Sequence, residues 1–431
     1  MRFLASDVAA ATGGTLIGPD VPIEGVSFDS RSIAADELFV PIVAERDGHD
    51  FIGLALKVGA AAYLTQQPSV GGSAIAVDDT GAALLALGSW GRAQLQATVI
   101  AITGSVGKTS TKDLARAALS AGLCTTANEK SFNNDQGLPV TILNAPGDTQ
   151  ALVLEMGMRG FGEIKRLCDV GRPTIGVITR IAAAHTELLG GIEGVAKAKA
   201  ELIQALPAAG TAILNGDDPY AAAMAADALC PVLTFGVAPR CDVQVADLRL
   251  DGLARPRFTL LSPWGDVEVT LGVSGQHMAM NAAAALAVAG VCGVDLGSAV
   301  AALGGAALSP WRMEIGHTAS GALVINDAYN ANPASMRAAI ESLLAVEITG
   351  RRVCVLGVMA ELADPTSDHA EIAALLEANG VELIAVGTDQ YGVGATTDPL
   401  ALLRTLTSAD AILVKGSRVA GLEKLVAALF E

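Results

Sequence analysis

Aromatic side chains are scarce in this chain: Phe, Trp and Tyr together make up 4% of 431 residues, whereas hydrophobic residues as a whole make up 51%. A core with so few rings must be built from Ala, Val, Leu and Ile, which is the signature of helices packed on parallel sheets. Basic charge is also short. With 28 Lys and Arg against 45 Asp and Glu, the net charge is −17. That excludes a broad basic face and hence a nucleic-acid or anionic-membrane partner, so any phosphate must be gripped by local lysines, backbone N–H groups and metal. Cysteine is limited to six scattered residues with no C-x-x-C pair, which excludes a disulfide framework or a zinc ribbon and fits a reducing compartment. Long hydrophobic runs are missing too. Asp7 interrupts the only apolar stretch near the N-terminus, so no signal peptide is read there. The most apolar window, Ala282 to Leu303, is Ala/Gly-rich and carries Asp295, so a buried helix and turn explain it better than a membrane span. These absences lead to the expectation of a cytoplasmic protein of two to three domains.

What is present is sharper. Val99 to Thr103 is a run of β-branched and apolar residues; Gly104-Ser105-Val106-Gly107-Lys108-Thr109-Ser110 follows as a turn, and Thr111 to Ala121 reads as a helix. That order aims backbone N–H groups and a helix N-terminus at one point, which suits a polyphosphate. Lys108 supplies a point charge for the β/γ-phosphates and Thr109 a hydroxyl ligand for Mg²⁺. The general phosphate-loop pattern has four residues between its glycines, whereas two separate Gly104 from Gly107 here.

Three segments follow from the alternation of apolar and turn-forming stretches: 1–97, with short strands around Ile23 to Phe28, Leu38 to Pro41 and Ala61 to Thr65; 98–311, with strands at Ala151 to Glu155, Thr174 to Thr179 and Thr211 to Asn215; and 312–431, with strands at Ala322 to Asn326, Arg352 to Leu356, Leu383 to Val386 and Ala411 to Val414. Strands separated by helical stretches imply parallel β-α units, and their restart after Pro310 implies a second doubly wound sheet. The expected fold class is therefore α/β.

Within the middle segment Glu155 closes an apolar strand, where a carboxylate either ligates Mg²⁺ or caps a turn; a phosphate loop about 50 residues upstream favours the metal. His185 is either a satisfied polar residue or part of the metal shell. Lys199, in Ala196-Lys197-Ala198-Lys199-Ala200-Glu201, reads by composition as a solvated helix lysine.

The motifs taken together resemble the Mur ligase family over essentially the whole chain. Thr103 to Ser110 resembles its T-G-x-x-G-K-S/T-S/T loop, which accounts for the short spacing; Ser131 to Pro139 resembles its double-Asn, Gly and Pro segment; and Asn326-Asp327-Ala328-Tyr329-Asn330-Ala331-Asn332-Pro333 resembles the D-A-Y-N-A-N-P block of the branch that adds a dipeptide. Asp29-Ser30-Arg31, Leu38-Phe39 and Asp47-Gly48-His49 resemble the series of the nucleotide-sugar domain, and Leu413 to Arg418 a C-terminal block. The resemblance implies three α/β domains: a nucleotide-sugar domain, a central parallel-sheet phosphate-loop ATPase and a Rossmann-like C-terminal domain. It implies an ATP-dependent ligase that joins D-alanyl-D-alanine to UDP-MurNAc-tripeptide through an acyl phosphate, as a monomer. The rivals are a sister ligase adding a single amino acid and a non-ligating phosphate-loop ATPase.

The roles it implies are these. Gly104 to Ser110, Asn134, Asn281, Arg312 and Asp327 bind ATP. Thr109, Glu155, His185 and Lys199 serve two Mg²⁺ sites, with Lys199 carbamylated by CO₂; Lys108, Lys199 and His185 act in catalysis. Ser30, Arg31, Asp47, Tyr329, Asn330, Lys415 and Arg418 face the substrates. The chain departs from the family's pattern at Arg180 and Ala182, where Asn and Gly are usual before the histidine, at Val358, where Asp is usual, and at Ser105-Val106. Glu361 and His369 still fit the pattern that flanks Val358.

Overall fold

The computed structural model describes residues 1–129, 132–182 and 189–430. Among them the strands form three large sheets and one small pair. In the first, Ser73–Ala76, Ala62–Thr65, Leu38–Phe39 and Val26–Ser27 run parallel, with Thr15–Ile17 antiparallel at one edge. The second has nine strands. Seven are parallel, in the order Val243–Leu250, Val232–Gly236, Thr211–Asn215, Ile175–Ile178, Thr98–Thr103, Ala151–Glu155, Thr125–Ala127. The third pairs Leu323–Asp327, Ala411–Lys415, Arg352–Leu356 and Glu382–Ala385 in parallel, with Glu314–His317 antiparallel at the edge.

Position in the second sheet explains the site. The chain leaves Thr98–Thr103 toward Thr125–Ala127 on one side, returns through Ala151–Glu155, then crosses to Ile175–Ile178 on the other side. Thr98–Thr103 is thus the point where strand order reverses, and the crevice beyond the carboxyl ends there is where doubly wound sheets bind ligands. The central strands Thr98–Thr103, Ala151–Glu155 and Ile175–Ile178 are buried almost throughout, which is why they read as largely apolar runs.

Two features differ from the sequence reading. Beyond Val243–Leu250, Pro256–Leu261 and Val267–Thr270 extend the parallel sheet with antiparallel pairings, hidden in sequence because these half-exposed strands carry polar residues among the apolar ones. The helix after the phosphate loop spans Lys108–Ser120, three residues earlier than its apolar pattern starts. Its polar first turn, Lys-Thr-Ser-Thr, has no apolar stripe to betray a helix. The apolar window resolves into helices His277–Val291 and Leu296–Gly304, the first packed in the main core against the phosphate-loop helix. No helix among the described residues is long and apolar enough to cross a membrane.

Candidate active site

The phosphate loop is braced from behind. Ser105 N–H donates to Arg180 O at 2.6 Å, Ser105 Oγ exchanges hydrogen bonds with the Ala182 backbone at 2.9 and 3.0 Å, and Thr179 Oγ1 donates to Val106 O at 2.6 Å. Arg180 thereby serves the loop through its carbonyl, a contact any residue type can make. Gly107 has φ +89°, and a Cβ there would sit 2.5 Å from Asn281 Oδ1. Left-handed backbone costs a non-glycine residue about 1–2 kcal/mol, and the buried Asn281 side chain would also have to shift. Gly107→Ala should therefore weaken Mg-ADP binding on the order of tenfold or more, read by titration calorimetry; unchanged affinity would refute the fit.

Three buried ionisable groups stand together. Lys108 donates from Nζ to Gly104 O at 2.8 Å, and burial holds its pKa down. Lys199, on helix Ile192–Gln204, is 2% exposed, not the solvated residue its composition implied. Burial, then the neighbouring Lys108 charge, pushes its pKa well below the usual lysine range, while Glu155 opposes the shift. Glu155 pairs in register with Ile102 of the strand that enters the phosphate loop. Its Oε1 accepts from Asn133 Nδ2 at 2.7 Å, and its buried Oε2 has no partner among the described residues. Such an orphaned carboxylate oxygen is costly unless a cation or donor completes it.

That observation tests the implied metal. Glu155 Oε2 and the Thr109 hydroxyl are hard oxygen donors beside a phosphate loop, the set Mg²⁺ takes when phosphates and waters fill its remaining positions. Among the described residues no group of three or more His, Cys, Asp or Glu is gathered as a ready-made cage. His185 lies outside the described residues, as does Ser131 of the double-Asn segment.

Behind Glu155 is a network that sequence reasoning missed. Asn128 Oδ1 accepts from Glu155 N–H at 2.5 Å, and Lys112 Nζ, 2% exposed, donates to Asn128 O at 2.8 Å and pairs with Asp113 at 3.0 Å. Asp113 in turn accepts from Ser309 N–H at 2.7 Å, in the segment leading to Arg312. Nothing in the pattern of Lys112-Asp113 separates a buried pair from a solvated one.

The C-terminal sheet closes the cleft. Ser105 to Ser110, His277, Asn281, Arg312, Asp327, Asn330 and Lys415 line a crevice with about 620 Å³ of atom-free space. Asp327 and Lys415 are register partners on adjacent strands; Lys415 Nζ donates to Asp327 Oδ2 at 2.5 Å and to Asn330 O at 2.8 Å. Arg312 Nη2 donates to Thr109 Oγ1 at 3.1 Å. Buried His277, not singled out from sequence, is pushed down to about 4, so its imidazole is neutral, and its Nδ1 has no partner among the described residues. Asn281 is 8% exposed and faces Gly107.

Other expected site residues stand elsewhere. Asn134 Oδ1 accepts from Gln136 and Gly137 N–H at 3.2 and 2.9 Å, ordering the turn into helix Gly137–Asn144; it is not among the cleft's lining. Asp47 accepts from His49 Nδ1 at 2.6 Å while His49 Nε2 accepts from Gln66 N–H at 3.0 Å, which assigns the proton to Nδ1 and makes the D-G-H series a clasp. Arg31 is exposed and forks onto Asp29 at 2.7 and 2.8 Å; Ser30 lies between them in the chain. Ser30, Arg31 and Asp47 follow the ends of the parallel strands of the first sheet, on an edge that meets the double-Asn segment through Phe28 and Phe132, whose rings lie 5.4 Å apart. Tyr329 lies under the Arg312 guanidinium, 4.2 Å from ring centre, and Arg418 lies over Trp311 at 4.3 Å.

Comparison with known proteins agrees with this arrangement. Residues 102–289 match the Mur ligase middle domain and residues 311–428 the Mur ligase, glutamate ligase domain. UDP-N-acetylmuramoyl-tripeptide–D-alanyl-D-alanine ligase of Mycobacterium tuberculosis is 40% identical, over 94% of this chain and 91% of the relative. A crystal structure of MurF from Acinetobacter baumannii superposes with TM-score 0.90 at 30% identity, covering 100% and 99% of the two chains. MurF ligase from Thermotoga maritima in complex with ADP superposes at 0.82 and 26% identity, over 94% and 97%. The chain belongs to the Mur ligase family, with its three-domain α/β architecture. Within that family its particular likeness is to the UDP-N-acetylmuramoyl-tripeptide–D-alanyl-D-alanine ligases.

Proposed function

We propose that this protein is the cytoplasmic, ATP-dependent, ADP-forming ligase that joins D-alanyl-D-alanine to UDP-MurNAc-tripeptide, a step of peptidoglycan precursor synthesis. The observation that carries it is the buried cluster of Lys108, Lys199 and Glu155 beside the phosphate loop. A plain ATPase needs the loop and the lysine; it has no use for a second buried amine whose charge its surroundings suppress. CO₂ adding to that amine forms a carbamate, with loss of one proton, and turns a suppressed cation into an anion. Glu155, Thr109 and carbamylated Lys199 would hold Mg²⁺, which supplies charge neutralisation at the phosphates.

This chain's own residues do the rest. The loop N–H groups and Lys108 hold the β/γ-phosphates while an oxygen of the tripeptide carboxylate attacks the γ-phosphorus and ADP departs. The dipeptide amine then attacks the acyl phosphate carbon; the oxyanion that forms lies within reach of the Lys108 charge, and phosphate leaves as the amine loses its proton. Asn281 and neutral His277 face the base, and Asp327 and Arg312 the ribose and phosphate side. Residues 1–97 hold the nucleotide sugar, through Ser30, Arg31 and Asp47, 98–311 hold ATP, and 312–431 close over both, with Asn330 and Lys415 toward the acyl acceptor. Closure excludes water that would otherwise hydrolyse the acyl phosphate.

The test is phosphate release with ATP, Mg²⁺ and UDP-MurNAc-tripeptide. Release should require D-alanyl-D-alanine and yield a product with the mass of the pentapeptide. Release with a single amino acid instead would move the chain to a sister activity, and release independent of any acceptor would reduce it to an ATPase.

A further inference from the structure

One feature at the cleft rim is unexplained by nucleotide binding alone. Trp311 has φ +61° and Met313 φ +50°, so Arg312 is bracketed by two left-handed residues. Glycine would take that backbone freely; a bulky aromatic there is strained and persists only where its surroundings over-determine it. Those surroundings are a four-layer stack. Arg418 lies 4.3 Å over the Trp311 ring, Trp311 stacks on Tyr329 with centroids 6.5 Å apart and planes at 26°, and Arg312 lies 4.2 Å over Tyr329. The outer end is tied down by Arg418 to Glu423 at 3.1 Å, and the inner end delivers Arg312 Nη2 to Thr109 Oγ1 at 3.1 Å. Arg312 Nε is buried with no hydrogen-bond partner among the described residues, and the residue lines the cleft in which the phosphates are proposed to lie.

We propose that Trp311 and Arg418 are positioning residues for phosphoryl transfer: through Tyr329 they hold the Arg312 guanidinium flat against the phosphate loop. The idea rests on the nucleotide reading above. An arginine stacked on a ring has lost its rotamer freedom before the nucleotide arrives, so the ordering cost is not levied on binding or on the transition state. It also gives Arg418 a role at the nucleotide side, away from the substrate contact expected of it.

Steady-state kinetics on the full chain tests this. Trp311→Ala and Arg418→Ala should each lower kcat/KM for ATP about tenfold, the size expected for losing a partly desolvated cation–π contact, whereas Trp311→Phe should keep most of it. In an Arg312→Ala background, Trp311→Ala should add less than about twofold, because residues acting through one group are not additive. Losses that multiply, or an unchanged kcat/KM in Trp311→Ala, would overturn the proposal. Mg-ADP titration separates the two levels. A wild-type chain that binds no nucleotide refutes the underlying reading, and the stack's role with it. Wild type and Trp311→Ala binding alike, with equal turnover, refute the stack alone.

Discussion

Lys199→Met should cut acceptor-dependent phosphate release by about a thousandfold or more, roughly 4 kcal/mol of transition-state stabilisation, while leaving the melting temperature unchanged or raised. The two halves have one cause. Lys199 is 2% exposed beside Lys108, a site hostile to an ammonium that Glu155 only partly relieves. Methionine fills nearly the same volume without an amine to desolvate, so packing is kept and a burden is removed. What is lost is chemistry: only a neutral amine adds CO₂, and burial keeps this one neutral nearer physiological pH than an ordinary lysine. In ¹³C-bicarbonate the wild type should show a protein carbamate carbon resonance that Lys199→Met lacks. A variant with more than a tenth of wild-type turnover, or a carbamate signal surviving the substitution, would refute the role.

Glu155→Gln should lower turnover on the order of a hundredfold or more and move the Mg²⁺ concentration for half-maximal rate well upward. The amide keeps the shape and the Asn133 neighbour, so the strand end stays put, but the orphaned oxygen at Oε2 is no longer anionic. The second effect is electrostatic. Glu155 is the group that props up both Lys108 and Lys199. Without it both lysines fall further toward the neutral form, which costs Lys108 its grip on phosphate. Raising the Mg²⁺ concentration should restore only part of the rate. An unchanged Mg²⁺ midpoint would mean that the metal is held elsewhere.

Some of this site is legible in the chain because the physics there is local. A strand, a Gly-rich turn and a helix start are contiguous in sequence, so Thr103 to Ser110 declare their geometry without help from the rest of the fold. Glu155 is legible for a similar reason, since a carboxylate ending a buried strand has few structural uses. The central parallel strands declare themselves because both faces are covered and nearly every residue in them is apolar. The D-A-Y-N-A-N-P block shows a loop of consequence, though not that Asp327 is engaged by Lys415, 88 positions away. Asn134 and Asp47 carry the residue types of ligands, but their local hydrogen bonds, Asn134 to the entry of helix Gly137–Asn144 and Asp47 to His49, are not legible in composition.

Burial is where sequence stopped. Lys199 in an Ala-Lys-Ala-Lys-Ala run is indistinguishable from Lys197, two residues away, until the sheet and the phosphate loop are packed around it. The same holds for Lys112 with Asp113, for the antiparallel strands Val243–Leu250 to Val267–Thr270 and for Trp311, whose backbone strain has no signature in composition. Class, sheet type, phosphate loop and acidic strand end were set by the sequence alone, because each depends on neighbours within about a dozen residues and on side-chain periodicity. Which lysine is buried with its charge suppressed, which carboxylate oxygen is left without a hydrogen bond and which arginine reaches the loop were decided only by tertiary structure. Desolvation and Coulomb coupling depend on distance through space, and that distance is a property of the packed chain.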